Sequence, residues 1–336
     1  MRFADVPRAA ATARDGLALV DKHAGVTSHD VVAMTRRMAA TRKVGHAGTL
    51  DPMATGLLLL GVGRATRFLT YLVGADKTYR ATVRLGQTTL TEDADGELTA
   101  AAGCTAAPDL PARLDAALVA LTGEIMQVPS AVSAIKIGGV RSYARVRGGE
   151  DVTLPARPVT VHALARVGEP RPVTAADGTP VIDVDVEVHC SSGTYVRALA
   201  RDLGVALGCG AHLTALRRSG VGPFNVAEAA TIESMAAAVT AGRALPVLPL
   251  AVVARRCFPA VDLDADEARA LRYGQALPAP VLDRAQPPRR PVISKAPAAD
   301  GQGVTAGFDP AGGLVALLAH KGGRTRPVLV LPEAGE

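Results

Sequence analysis

The chain has few aromatic residues: they make up 3% of its 336 positions, with no tryptophan. The tyrosines are Tyr71, Tyr79, Tyr143, Tyr195 and Tyr273. A surface that stacks many bases in a row needs more rings than this, which leaves room only for one or two tyrosines at a single site. Cysteine is also scarce. Cys104, Cys190, Cys209 and Cys257 are widely spaced and form no C-x-x-C pair, which excludes a zinc ribbon. Cys209, in the small-residue turn "GCG", reads as a buried free thiol, and the set reads as a reducing, cytoplasmic setting. No apolar run reaches the ~18 residues that a membrane helix needs. The start, "MRFADVPRAAATARDG", scatters charges and has no apolar stretch, unlike a secretory signal. The expectation is a soluble protein that does not meet a membrane.

Lysine is rare too, with six against 31 arginines. The net charge is +5, a balance that suits a polyanionic partner, although arginine richness also follows from codon usage alone. Hydrophobic residues reach 48%, enough for a large domain and a smaller one.

Along the chain, "GLALVDK" (16–22) reads as a buried strand and "GVTSHDVVAMTRRMAA" as a helix capped by Thr27 or Ser28. The run "GLLLL" is ambiguous between helix and strand, and "RATRFLTYLV" reads as helix. "KTYRATVRLGQ" (77–87) alternates as a strand, with Tyr79, Ala81, Val83 and Leu85 on one side. "TTLTEDADGE" reads as an acidic surface loop, and 107–127 as a helix. Residues 181–208 read as a strand, a turn and a helix. From Ile135 to Gly149 the chain carries Lys136, Arg141, Arg145 and Arg147 and no acid. This stretch belongs to an exposed basic arm over about 128–159. A proline-punctuated segment (242–259) precedes a small, mostly β region.

"VGHAGTLDPMATGLLLLGVG" (44–63) sets one carboxylate, Asp51, among glycines and then runs into leucines. In isolation Asp-Pro is a turn, and "GVGRAT" lacks the Gly-Lys-Ser/Thr ending of a phosphate loop. Its company changes that reading. With "LVDKHAGVTSHD", "KTYRATVRLG", "GTYVRALARDLG" and "GCGAHLTALRRSGVGPF", the loop resembles the TruB-type tRNA pseudouridine synthases, in family order and spacing over about 16–225. These enzymes make pseudouridine 55 in the tRNA T-loop. The C-terminal segment is similar, more loosely, to their PUA-like domain.

The resemblance implies roles. Asp51 matches the aspartate that pseudouridine synthases require, and His46 the loop histidine that holds the RNA loop open. Tyr79 matches the tyrosine that stacks on the flipped uracil and is a candidate base. Arg197 matches the arginine that pairs with the catalytic carboxylate. Tyr195 and Leu216 match residues lining the uracil pocket, and Lys22 the lysine of a D-K-P-x-G turn. Lys136, Arg141, Arg145 and Arg217 are candidates for phosphate contacts. On pattern alone Tyr79 is a core tyrosine, Arg197 a surface arginine and His212 a structural histidine. Two departures stand out: His23 replaces the usual proline of the D-K-P-x-G turn, and Val132 replaces a frequent aromatic.

Uridine must lose its C1′–N1 bond, rotate and reattach through C5. That needs an ionised carboxylate, and a nearby arginine keeps a desolvated aspartate charged. No hydride or acyl group moves, so no cofactor and no metal is expected. Nucleophilic addition and a glycal route both remain open. The expected fold is α+β: a mixed, mainly antiparallel sheet flanked by helices, plus a small mostly-β PUA-like domain. The expected division is a loose leader (1–15), a catalytic domain (16–250) and an RNA-binding domain (251–336). The expected partner is tRNA, bound by a monomer without an obligatory protein partner. An RNA chaperone and a guide-RNA-dependent modifier are the competing readings.

Overall fold

The unbroken apolar run of "GLALV" suits a strand covered on both faces, and the computed structural model shows one. It describes residues 3–133, 136–137, 140–142, 152, 154–288 and 303–331, with backbone alone at 136–137 and 140–141. The chain divides into two compact units, residues 1–76 with 220–336, and residues 77–219.

In the first unit, β1 (Gly16–Lys22) leads to helix α1 (Ser28–Met38). Thr27 is the cap: its hydroxyl accepts from Asp30 N–H, and the Asp30 carboxylate accepts from Thr27 N–H, a capping box. Val31, Met34 and Met38 face inward. Then come β2 (Val44–His46), β3 (Thr55–Val62) and α2 (Ala65–Leu72). The ambiguous leucine run is therefore strand. It pairs antiparallel with β1 from Lys22↔Gly56 to Gly16↔Val62, and β2 joins it through His46↔Leu60. The leader expected to be loose is fastened instead. Val6 is buried and its carbonyl accepts from Arg37 Nε, and Ala9 and Ala13 N–H donate to carbonyls at the end of α1.

The second unit begins with β4 (Lys77–Leu85), whose burial alternates as the sequence does. The short strands β5 (Thr88–Thr89) and β6 (Leu98–Ala100) pair with each other, so the acidic stretch between them closes a hairpin. Helix α3 (Leu110–Ala120) stops earlier than the sequence pattern implies. Gly123, at φ +99°, redirects the chain into β7 (Gly123–Gln127), which pairs with β10. Within the expected basic arm, β8 (Lys136–Ile137) and β9 (Val140–Arg141) pair with each other. Residues 157–159 belong to β10 (Arg157–Arg166). After β11 (Arg171–Thr174) and β12 (Pro180–Cys190) comes α4 (Val196–Leu207), then β13 (Ala211–Val221). The sheet order is β13-β4-β12-β10-β7, with β11 also on β12. Leu118 of α3 and Leu199 and Leu203 of α4 are buried over it.

Returning to the first unit, β14 (Phe224–Asn225) and β15 (Ala230–Thr231) follow, and β15 runs parallel to β1. Helices α5 (Ile232–Thr240) and α6 (Leu250–Cys257) lead to β16 (Ala260–Asp262) and α7 (Ala265–Arg272). Then come β17 (Leu277–Pro278), β18 (Thr305–Phe308), β19 (Leu314–Lys321) and β20 (Arg324–Val330). The last sheet runs β16-β18-β19-β20-β17. Its Phe308 and Leu317 share one core with Leu57, Leu59, Phe68 and Phe258, with the Phe68 and Phe258 rings edge to face at 5.4 Å. Burial of this apolar surface fastens the chain's C-terminal sheet to its N-terminal strands. Among the described residues no helix is long and apolar enough to cross a membrane.

Candidate active site

Asp51 lies in the loop from β2 to β3 and is half-buried. Short-range geometry shapes the loop: Gly48 and Gly56 take φ +94° and +100°, values that a side chain would strain. Residues 22–28 then hold it from outside. Ser28, at the first position of α1, is 1% exposed. Its hydroxyl accepts from Leu50 N–H (2.8 Å) and donates to the Leu50 carbonyl (3.0 Å). One side chain thus satisfies both backbone groups of the residue before Asp51. On the other side, the Pro52 carbonyl accepts from Gly25 N–H (2.9 Å) and from Lys22 Nζ (3.1 Å). Lys22 also donates to the carbonyls of Val26 (2.7 Å) and His23 (3.1 Å).

Lys22 needs correcting. The sequence assigned it to substrate, but it is 0% exposed. A fully buried ammonium is stable only when hydrogen-bonded, and here carbonyls of the turn and of the Asp51 loop accept from it. The same bonds explain why His23 is tolerated. The turn is held by Lys22 and Gly25, and His23 Nδ1 donates to the Ala24 carbonyl at 2.8 Å.

His46 ends β2, with its ring edge-on to His29 at 5.5 Å. Beside it opens a cavity of about 710 Å³ lined by Arg42, Lys43, His46, Thr66, Leu69 and Thr70. Arg42 and Lys43 are exposed, so the rim carries positive charge next to the loop. Neither basic residue was singled out in the sequence, and their place immediately before the strand bearing His46 was the available signal.

In the second unit Arg197, on the first turn of α4, is 4% exposed. Its Nε lies 3.5 Å from Asp93 Oδ2, both side chains being 5% exposed. Its Nη1 donates to the Thr91 carbonyl (2.6 Å) and Ser130 Oγ (3.0 Å), and its Nη2 to the Val132 carbonyl (2.9 Å). The acidic hairpin is therefore not wholly a surface loop. Asp93 is buried because a buried guanidinium needs an anion, and Asp93 also accepts from Thr91 Oγ1 and from Asp95 N–H (3.1 Å). Val132 serves through its carbonyl, which any residue supplies, so the missing aromatic leaves this contact intact.

Tyr195 is the residue before α4. Gln127, 2% exposed, holds it from both sides. Its Oε1 accepts from Tyr195 N–H (2.8 Å), and its Nε2 donates to the Tyr195 carbonyl (3.1 Å). Tyr79 lies on β4 opposite Val188 and is 8% exposed. Thr214 donates to the Thr82 carbonyl and Ser219 to that of Thr78, so Leu216 and Arg217 run alongside the Tyr79 end of β4. Leu216 is buried and Arg217 half-buried. His212 is structural, as its pattern implied. It is 5% exposed, with Nδ1 3.0 Å from the Gln87 carbonyl. Burial lowers its pKa, with the backbone contact to Gln87 opposing. Lys136 and Arg141 are register partners, and Arg145 lies outside the described residues.

Comparison with known proteins bears on the whole chain. Residues 36–196 match the TruB family pseudouridylate synthase (N terminal domain). Residues 197–246 match the tRNA pseudouridylate synthase B C-terminal domain, and 295–332 the tRNA pseudouridine synthase II C terminus. A tRNA pseudouridine synthase B from Paenarthrobacter aurescens is 52% identical, covering 94% of each chain. One from Streptomyces coelicolor is 50% identical, covering 95% of this chain and 98% of its own. Among solved structures, an H/ACA RNP bound to a substrate RNA containing 2′-deoxyuridine aligns with a TM-score of 0.66 at 22% identity, over 94% of this chain and 85% of that one. A Cbf5-Nop10-Gar1 complex aligns with a TM-score of 0.65 at 24% identity, over 95% and 84%. These two share the fold. With half its residues identical to curated relatives over nearly the whole length, and with its glycine-framed aspartate loop held on both sides, the chain belongs to the TruB family of pseudouridylate synthases.

Proposed function

We propose that this enzyme converts uridine 55 in the T-loop of tRNA to pseudouridine, with Asp51 as the catalytic carboxylate. The relatives named tRNA pseudouridine synthase B support tRNA as substrate. The observation that carries the residue assignment is the double fastening of the Asp51 loop, through Leu50 to Ser28 and through Pro52 to Lys22 and Gly25. A carboxylate held on a rigid, half-buried loop keeps its orientation while RNA binds, and fixed geometry lowers the barrier of the step it serves.

The target base sits in a folded loop and is flipped out to react. His46 fills the space it leaves, while Arg42 and Lys43, on the cavity beside it, contact phosphates. Tyr79 and Leu216 sandwich the uracil, and Tyr195 lines its pocket. Asp51 acts as the anion while the C1′–N1 bond breaks. The base rotates, C5 bonds to C1′, the C5 proton leaves with Tyr79 as its acceptor, and N1 gains a proton. Arg197 supplies positive charge for the carboxylate, held in place by Asp93 and the carbonyls of Thr91 and Val132. Lys136, Arg141, Arg145 and Arg217 hold phosphates. Residues 16–250 carry the chemistry, and 251–336 grip the acceptor stem as a PUA-like domain. The enzyme works in the cytoplasm as a monomer, without a protein partner or cofactor.

The test is tritium release from tRNA labelled at C5 of its uridines, using purified protein alone. Release of one tritium per tRNA is expected. Asp51→Asn should lower the rate at least about 10⁴-fold, the scale seen when a catalytic group is removed, with RNA affinity retained. RNA binding without release by the parent protein would sink the proposal in favour of a chaperone or a guide-dependent enzyme.

A further inference from the structure

Cys104 and Cys209 are far apart in sequence, and Gly86 brings them together. Its N–H donates to the Gly210 carbonyl (2.9 Å), and its own carbonyl accepts from Gly103 N–H (2.9 Å). The neighbours of the two cysteines are thus tied to the two backbone groups of one residue. Gly86 has φ +105°, and a Cβ there would lie 2.7 Å from Cys104 N and 3.1 Å from Cys104 Cβ, so Cys104 packs directly over it. Each cysteine is anchored by its own N–H, Cys104 to the Pro180 carbonyl (2.8 Å) and Cys209 to that of Gly204 (3.2 Å). The two thiols are neighbours, close enough for Cys104 to act on the Cys209 thiol. Both are free and only partly buried, and Cys104 lines an open cavity of about 480 Å³ with Asp177, Thr179 and Pro180. Cys190 and Cys257 are 0% and 3% exposed.

We propose that Cys104 and Cys209 are a modification site, closing into a reversible disulfide when the protein meets hydrogen peroxide. Cys104, on the cavity, reacts first. Its thiolate attacks one peroxide oxygen, the O–O bond breaks, and the departing hydroxide takes a proton to become water. Cys104 is now a sulfenic acid, oxidised by two electrons. Cys209 then loses its proton and attacks the Cys104 sulfur. The S–S bond forms, the S–O bond breaks, and the leaving hydroxide takes that proton as a second water. The order follows from environment. Cys104 lines the open cavity, whereas burial and then the neighbouring Cys104 push the Cys209 thiol up to about 11, so Cys209 is the slower of the two to meet peroxide. The crosslink fastens the turn after α4, the helix whose first turn bears Arg197, to the segment after β6. It is independent of the RNA reaction.

The test exposes the reduced full-length protein to hydrogen peroxide, then traps remaining thiols with N-ethylmaleimide in denaturant and maps peptides by mass. The expected result is a joint loss of the two alkylated peptides and the gain of one crosslinked species, lighter by two hydrogens and restored by dithiothreitol. Cys190 and Cys257 should lose alkylation at least about tenfold more slowly, as buried thiols do. Cys104→Ser and Cys209→Ser should each remove the crosslinked species. Over-oxidation of Cys104 with Cys209 still alkylated would overturn the proposal. So would a disulfide between separate chains, or one that survives in either variant.

Discussion

The Asp51 loop and the start of α4 solve one problem in two ways. In each, a single buried polar side chain both donates to and accepts from the backbone of one residue. Ser28 does this for Leu50, next to Asp51, and Gln127 does it for Tyr195, two positions before Arg197. The charged groups are then treated differently. Asp51 stays half-buried, on a loop braced by backbone bonds. Arg197 is sunk beside Asp93 and three further acceptors. In the proposed roles, the group that reacts needs access, whereas the group that supplies steady charge gains field strength from a low-dielectric site. The cost is desolvation, and Asp93 offsets it.

The comparison can be broken most severely at Asp93. Asp93→Asn removes one anion beside the buried guanidinium with little change in shape. The expected loss is about 3–5 kcal/mol of stability, read by urea unfolding, with tritium release falling as well. A loss below about 1 kcal/mol would mean that the other partners of Arg197 hold it without Asp93. Next comes Ser28→Ala, which strips both backbone groups of Leu50 of their partner. Each buried unsatisfied group costs about 1–3 kcal/mol. The single-turnover rate should fall about tenfold, as a misplaced carboxylate implies, with tRNA affinity little changed. Ser28→Thr, which keeps the hydroxyl, should recover most of the rate.

Thr27→Ala sharpens the contrast with its neighbour. The Thr27 hydroxyl bonds to Asp30 of α1, so the variant should lose about 1 kcal/mol of stability with its single-turnover rate intact. The smallest effect belongs to His212. Burial holds its folded pKa below the ordinary 6.5, so the folded state favours the neutral ring. Above pH 6.5 both states are neutral and the group contributes nothing to the pH dependence. As pH falls below 6.5 the unfolded chain takes up the proton more readily, and stability declines toward the folded pKa. His212→Gln should flatten that decline in a pH series of unfolding curves. An unchanged slope would assign it to other groups.

Much of the fold was legible locally. The alternation of "KTYRATVRL" and "VIDVDVEVHC" gave strands whose burial follows the pattern residue by residue. The Thr27 cap was readable because its pattern, too, is local. The misreadings share a cause. Gly123–Gln127 looked like the end of a helix because its apolar residues continue the helical spacing, yet pairing with β10 outweighs propensity. Asp93 looked like one more solvated acid in "TEDADGE", since nothing nearby in sequence marks which carboxylate meets Arg197.

The sequence by itself determined where the carboxylate loop sits, which residue types surround it and which family it resembles, because glycine, aspartate and proline at fixed spacing constrain the backbone locally. Only the tertiary structure decided that Lys22 donates to buried carbonyls, that Ser28 holds Leu50, that Gln127 holds Tyr195, and that Gly86 brings Cys104 beside Cys209. Three of these four contacts join residues from separate strands, helices and turns, and Lys22 reaches from the end of β1 to the loop's Pro52 as well as to its own turn. Whether a polar side chain is exposed or buried with a partner depends on how those elements pack, and no local run of residues encodes that.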